Sequence, residues 1–98
     1  MRPPLWLLAA ALSLGCGAGR TRVDTSGYPP DQQANYQIFE TRCSRCHDLE
    51  RPLQARVADG GWDAYVRRMA RHPGAGISEA EQRRIASFLE FHHRETER

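Results

Sequence analysis

The run Cys43-Ser44-Arg45-Cys46-His47 carries the most specific chemistry in this sequence. On a helix, Cys43, Cys46 and His47 fall at i, i+3 and i+4 and share one face. Two thiols a turn apart can form thioethers with the two vinyl groups on one porphyrin edge. The imidazole beside the second thiol then reaches the iron from the same side. C-x-x-C-H is thus a covalent c-type haem attachment pattern, with Cys43 and Cys46 as thioether donors and His47 as the proximal iron ligand. Two rival chemistries use similar residues. A structural zinc site needs four ligands, and no second Cys pair exists. A thioredoxin-like redox pair needs a βαβ setting, which the pattern of this chain lacks.

The elements around this run must be exported, tethered and folded. Met1-Arg2-Pro3-Pro4 supplies a positive charge, Leu5 to Leu14 is apolar apart from Ser13, and small residues follow through Gly19. That is the order of a secretory signal, and it is too short to span a bilayer. Residues 1–19 therefore read as a signal peptide. Leu12-Ser13-Leu14-Gly15-Cys16 resembles a bacterial lipoprotein box, with Ser13 and Leu14 departing from the usual Leu and small residue. On that reading Cys16 becomes an acylated N-terminus that anchors the protein to a membrane. Cleavage after Ala18 or Gly19 discards Cys16 instead. Either outcome removes or caps a third cysteine that would be a liability in an oxidising compartment.

About 80 residues remain, enough for one small domain whose modest core needs a staple, and a covalent haem provides one. Composition agrees: 40% of residues are hydrophobic, few are aromatic, and no internal repeat is present. Gly17 to Tyr28 is polar and aperiodic, the pattern of a tether, so residues 20–30 read as linker and 31–98 as the domain. Asp31 is the expected cap of a first helix. Ile38, Phe39, Arg42, Cys43 and Cys46 then form a stripe at helical spacing that runs to Cys46. Asp48 to Gly61 reads as an irregular loop, with Pro52 inside it and Asp59-Gly60-Gly61 closing it. Trp62, Tyr65, Val66 and Met69 lie at i, i+3, i+4 and i+7 of a second helix, ended by His72-Pro73. Ser78-Glu79-Ala80-Glu81 is a capping box opening a last helix, in which Ile85, Phe88, Leu89 and His92 form the inner stripe. On its outer face Glu79–Arg83 and Glu90–Arg94 are spaced to pair, each worth a few tenths of a kcal/mol. Three helices and no credible strand make an all-α domain.

This order of elements resembles the class I cytochrome c family in a short monohaem form, over roughly Asp31 to His93. The resemblance implies about three helices wrapped around one covalently attached haem, and attachment outside the cytoplasm, in a bacterial periplasm. Family members carry an aromatic four residues before the first haem cysteine, where Phe39 stands. They carry another in the final helix, usually followed by Leu, as Phe88-Leu89 is. The first and last helices cross at a haem edge, so Phe39 and Phe88 are expected to pack there. Asn35 stands where many members have a small glycine, which implies a looser crossing or one served by Ala34. Pro52 is the candidate to offer a carbonyl to the haem histidine.

The second axial ligand is a choice among Met69, His72, His92 and His93. Met69 is the only methionine besides Met1. On an apolar helix face a methionine ordinarily fills core. With haem present that face must abut the porphyrin, and some short cytochromes c show the same Trp-x-x-x-Val-x-x-Met arrangement, so Met69 reads as the distal ligand. His72 closes a helix, where an imidazole suits the negative end. His93 is expected to face solvent, and His92, on the core stripe, is the best substitute ligand.

Arg42 to His72 holds seven arginines and four acids, whereas the rest from Gly17 onward holds six and eight. A basic haem-bearing segment steers docking on an acidic redox partner, or is simply a solvated surface. The charge is too small for a nucleic-acid partner. No nucleophile–base pair, paired carboxylates or phosphate loop appears, so no catalysis is expected. The function implied is one-electron transfer in an extracytoplasmic chain. An open sixth iron position would instead make a haem-based gas sensor or weak peroxidase. Absence of thioethers would leave a zinc-binding structural module.

Overall fold

The computed structural model describes residues 21–44 and 48–97. Within them lie four helices, α1 (Pro30–Cys43), α2 (Glu50–Leu53), α3 (Trp62–Ala70) and α4 (Glu79–Thr96), and no strand. The chain is all-α as its patterning predicts. None of the described helices is long and apolar enough to cross a membrane.

Proline opens α1. Pro30 sits at the first helical position, where a missing N–H costs nothing and φ is already suitable. Pro29 takes the cap position expected of Asp31, whose carboxylate lies instead in the first turn, against the positive helix end. The stripe predicts a helix through Cys46, but the described helix ends at Cys43, with Ser44 as its C-cap donating its N–H to the Glu40 carbonyl at 3.3 Å. A hydrophobic stripe reports sidedness and is a poor guide to a terminus.

The segment expected to be irregular contains the single turn α2. Pro52 fits there because it occupies one of the first helical positions, whose N–H groups have no intrahelical acceptor anyway. Burial of Leu49 and Pro52 holds this turn against the rest of the core. Gly60, at φ 81°, then reverses the chain into α3. At Gly61 a Cβ would lie 2.8 Å from Val57 Cγ1 and 3.0 Å from the Ala58 carbonyl oxygen, so any larger residue would force its neighbours to shift.

The capping box of α4 forms as its sequence requires. Glu81 N–H donates to Ser78 Oγ at 3.1 Å, and Ser78 N–H donates to Glu81 Oε1 at 3.1 Å. α4 is the central element, packing against α1 on one side and α3 on the other. Phe39 and Phe88 are fully buried and stacked, with ring centroids 5.4 Å apart and planes inclined by 29°. Tyr36 leans on both rings, and Ile85, Leu89 and Val66 complete the core. Of the two outer-face pairs, Glu90–Arg94 forms at 3.8 Å, whereas Glu79 and Arg83 do not come within ion-pair distance.

The crossing of α1 and α4 is sealed by polar groups. Asn35 is buried; its Nδ2 donates to Gln32 Oε1 at 3.3 Å, and Arg84 Nε donates to its Oδ1 at 2.8 Å. Gln32 Nε2 in turn donates to Ser87 Oγ at 3.1 Å. A residue larger than glycine is tolerated at this crossing because its amide is satisfied across the interface.

Residues 21–29 are laid along the helices as a strap, where the sequence pattern predicts a tether. Thr21 donates from its N–H and Oγ1 to the Asp48 carboxylate at 3.3 and 3.1 Å. Val23 N–H donates to Tyr36 Oη at 3.0 Å, and that hydroxyl donates to Glu40 Oε2 at 2.8 Å. The Tyr28 ring meets Phe91 edge-on at 4.9 Å, and its Oη lies 2.7 Å from His92 Nδ1.

Candidate cofactor site

Cys43 is the last residue of α1 and is buried. It lines a cavity of about 350 Å³ together with Tyr65, Met69, His72, Ala75 and Ile77. Arg42 and Arg51 border the same space. Cys16, Cys46 and His47 lie outside the described residues. The helical period of α3 explains one wall, since Tyr65 and Met69 are separated by one turn and point the same way. The turn after α3 supplies the next, and Ile77 comes from the lead into α4.

Cys43 sits where the end of α1 is tied to the start of α4. Its neighbour Arg42 donates from Nε to Glu81 Oε2 at 2.9 Å, tying the end of α1 to the cap of α4. Glu81 is held ionised by the Ser78 N–H and by Arg42, both of which keep its carboxyl below the ordinary range. Just after the C-x-x-C-H run in sequence, Asp48 accepts from Thr21. Burial pushes the Asp48 carboxyl up, but hydrogen bonds from Thr21, Glu50 and Leu49 outweigh it and leave it below its usual value.

A larger cleft of about 510 Å³ lies between α3 and α4, lined by Asp63, Arg67, Arg71, Glu79 and Arg83 among others. It carries both signs of charge, and its lining includes no thiol, thioether or imidazole, unlike that of the smaller cavity. Tyr65, on its wall, has its hydroxyl pKa raised by burial and by charge on Cys43, with Arg51 and Arg68 opposing.

The residues present fit a covalently held haem. A cysteine and a thioether side chain share one mainly hydrophobic cavity, at the end of the helix that leads into C-x-x-C-H. Met69 is half-buried and packs against the core on one side while lining this cavity on the other. Among the described residues no group of three or more His, Cys, Asp or Glu side chains is arranged to hold a metal ion.

The histidines sort differently from the sequence expectation. His92, the favoured substitute, stacks on Phe88 at 5.5 Å and is engaged with Tyr28, away from Cys43 and Met69. Burial, then the neighbouring His93, lowers its pKa. His93 packs edge-on to Trp62 at 5.6 Å and pairs with Glu97 at 2.9 Å, so it is not the solvent-facing group expected. Of the described histidines, only His72 joins Met69 at the cavity. Pro52 is buried, and its carbonyl already accepts from Ala55 N–H at 3.3 Å.

Comparison with known proteins returns no matching family model, no matching curated protein and no matching solved structure.

Proposed function

We propose that the protein is a small monohaem c-type cytochrome that carries single electrons in an extracytoplasmic, periplasmic chain and performs no catalysis of its own. The observation that carries this reading is the shared cavity of Cys43 and Met69, at the end of the helix entering the C-x-x-C-H run. A haem bound there supplies a one-electron iron couple. Cys43 and Cys46 would hold it covalently, with His47 and Met69 as the residues that would ligate its iron, and methionine ligation favours a higher potential than two nitrogens. Arg42 and Arg51 at the cavity border give an acidic redox partner a place to dock. Acylation of Cys16 would hold the carrier at a membrane surface.

Absorbance of the purified protein tests this. A sharp low-spin c-type spectrum on reduction is expected, with a far-red sulfur-to-iron charge-transfer band in the oxidised protein. Replacing Met69 with Ala should abolish that band and lower the potential. A five-coordinate spectrum that shifts with carbon monoxide would mark a gas sensor or weak peroxidase, and no haem spectrum at all would leave the zinc module.

A further inference from the structure

The cavity that Met69 shares with Cys43 also receives one imidazole. His72 follows Met69 by three residues, and the chain between them tightens. Arg71 N–H donates to Arg68 O at 3.3 Å, and His72 N–H donates to Met69 O at 3.2 Å. Such i to i−3 bonds are those of a 3₁₀ turn, in which side chains three apart eclipse one another. The same turn therefore brings both side chains to one wall, as their joint lining of the cavity records.

Availability separates His72 from the other described histidines. His92 is engaged with Tyr28, and His93 with Glu97. Among the described residues no side-chain hydrogen bond or ion pair holds the His72 ring, which is exposed on its outer side. The segment beyond it turns through Gly74 at φ 81° and Gly76 at φ 61°, so the backbone there uses conformations that glycine adopts without strain.

We propose that His72 is a reserve axial donor for the same iron. The inference rests on the haem reading above and names the group that guards the sixth position. When the Met69 sulfur leaves, one iron–sulfur bond breaks and one bond to a neutral His72 nitrogen forms. No electron or net proton is transferred in the exchange. Met69 is half-buried at the cavity, so once off the iron its sulfur can take one oxygen atom from hydrogen peroxide, which leaves as water, and the resulting sulfoxide is a polar, altered ligand. A reserve imidazole keeps the iron six-coordinate after such damage, at a lower potential. It thereby keeps the protein an electron carrier and closes the route to peroxide or gas binding.

The test compares wild-type holoprotein with Met69→Ala, His72→Ala and the double variant. Met69→Ala is expected to stay low-spin, lose the far-red sulfur band, shift to lower potential and resist carbon monoxide. The double variant is expected to become high-spin and to bind carbon monoxide on reduction. Added imidazole should restore its low-spin spectrum. His72→Ala alone should keep the far-red sulfur band, because Met69 remains to supply the thioether. Met69→Leu, which keeps the apolar volume, replaces Met69→Ala if the smaller residue fails to fold. A haem-loaded Met69→Ala as open to carbon monoxide as the double variant overturns the role of His72 alone. A wild-type protein without covalent haem overturns both this inference and the reading beneath it.

Discussion

Truncating Phe39 to Ala should remove at least about a third of the stability of this domain. Phe39 and Phe88 are both 0% exposed, and their rings stack at 5.4 Å where α1 crosses α4. A fully buried phenylalanine replaced by alanine costs about 3–5 kcal/mol, the lost transfer energy plus the cavity left behind. Collapse of the site is opposed on two sides, by Tyr36 at 6.2 Å and by the polar seam of Asn35 and Arg84. The upper half of that range is therefore expected. A domain of roughly 75 residues has about 4–11 kcal/mol in total, so the variant sits near its unfolding threshold. Urea titration of the holoprotein, followed by far-UV dichroism and haem absorbance together, measures the loss. Phe88→Ala should cost a similar amount. The double variant should cost less than the sum by about 0.5–1.5 kcal/mol, the stacking contribution of the pair. A loss below about 1 kcal/mol for Phe39→Ala, the range of ordinary surface changes, would show that the helices do not cross on these rings.

Replacing Cys43 or Cys46 with Ser should leave one thioether at most, and the double change should abolish haem staining on a denaturing gel. Replacing Arg84 with Met should strand the Asn35 carbonyl inside the crossing and cost about 1–3 kcal/mol in urea midpoint analysis. Folded His92 titrates below its ordinary value of 6.5, mainly because it is buried, so the unfolded chain takes up that proton first on acidification. Its contribution should be complete above pH 6.5 and be lost as pH falls to the lowered folded value; the urea midpoint of His92→Gln should lose that part of its pH dependence.

The parts of this fold that are legible in the sequence are those encoded locally. Ser78 and Glu81 announce the start of α4 by their spacing, and the Trp62-to-Met69 face announces α3. The packing of Phe39 on Phe88 is legible through family resemblance, since nothing local pairs two residues so far apart. The strap is not legible at all. Its attachments run from Thr21 to Asp48, from the Val23 N–H to Tyr36 and from the Tyr28 hydroxyl to His92, with partners 27, 13 and 64 residues away. The rank of the histidines is also beyond a helical stripe. His92 continues the stripe but is committed to Tyr28, whereas His72 lies past the end of α3 and reaches the cavity only through the tight turn.

The docked strap also shortens a leash. With Thr21 fastened to Asp48, no more than five Cα steps separate an acylated Cys16 from the body of the domain. Fully extended, those steps span at most roughly 18 Å, and part of that length is spent crossing the headgroup layer. Asp48 directly follows the C-x-x-C-H run, so if the proposed haem and lipid anchor are both present, the haem end of the molecule would ride just above the lipid. Its encounters would then be a two-dimensional search, at high effective concentration, among partners whose redox groups lie close to the membrane plane.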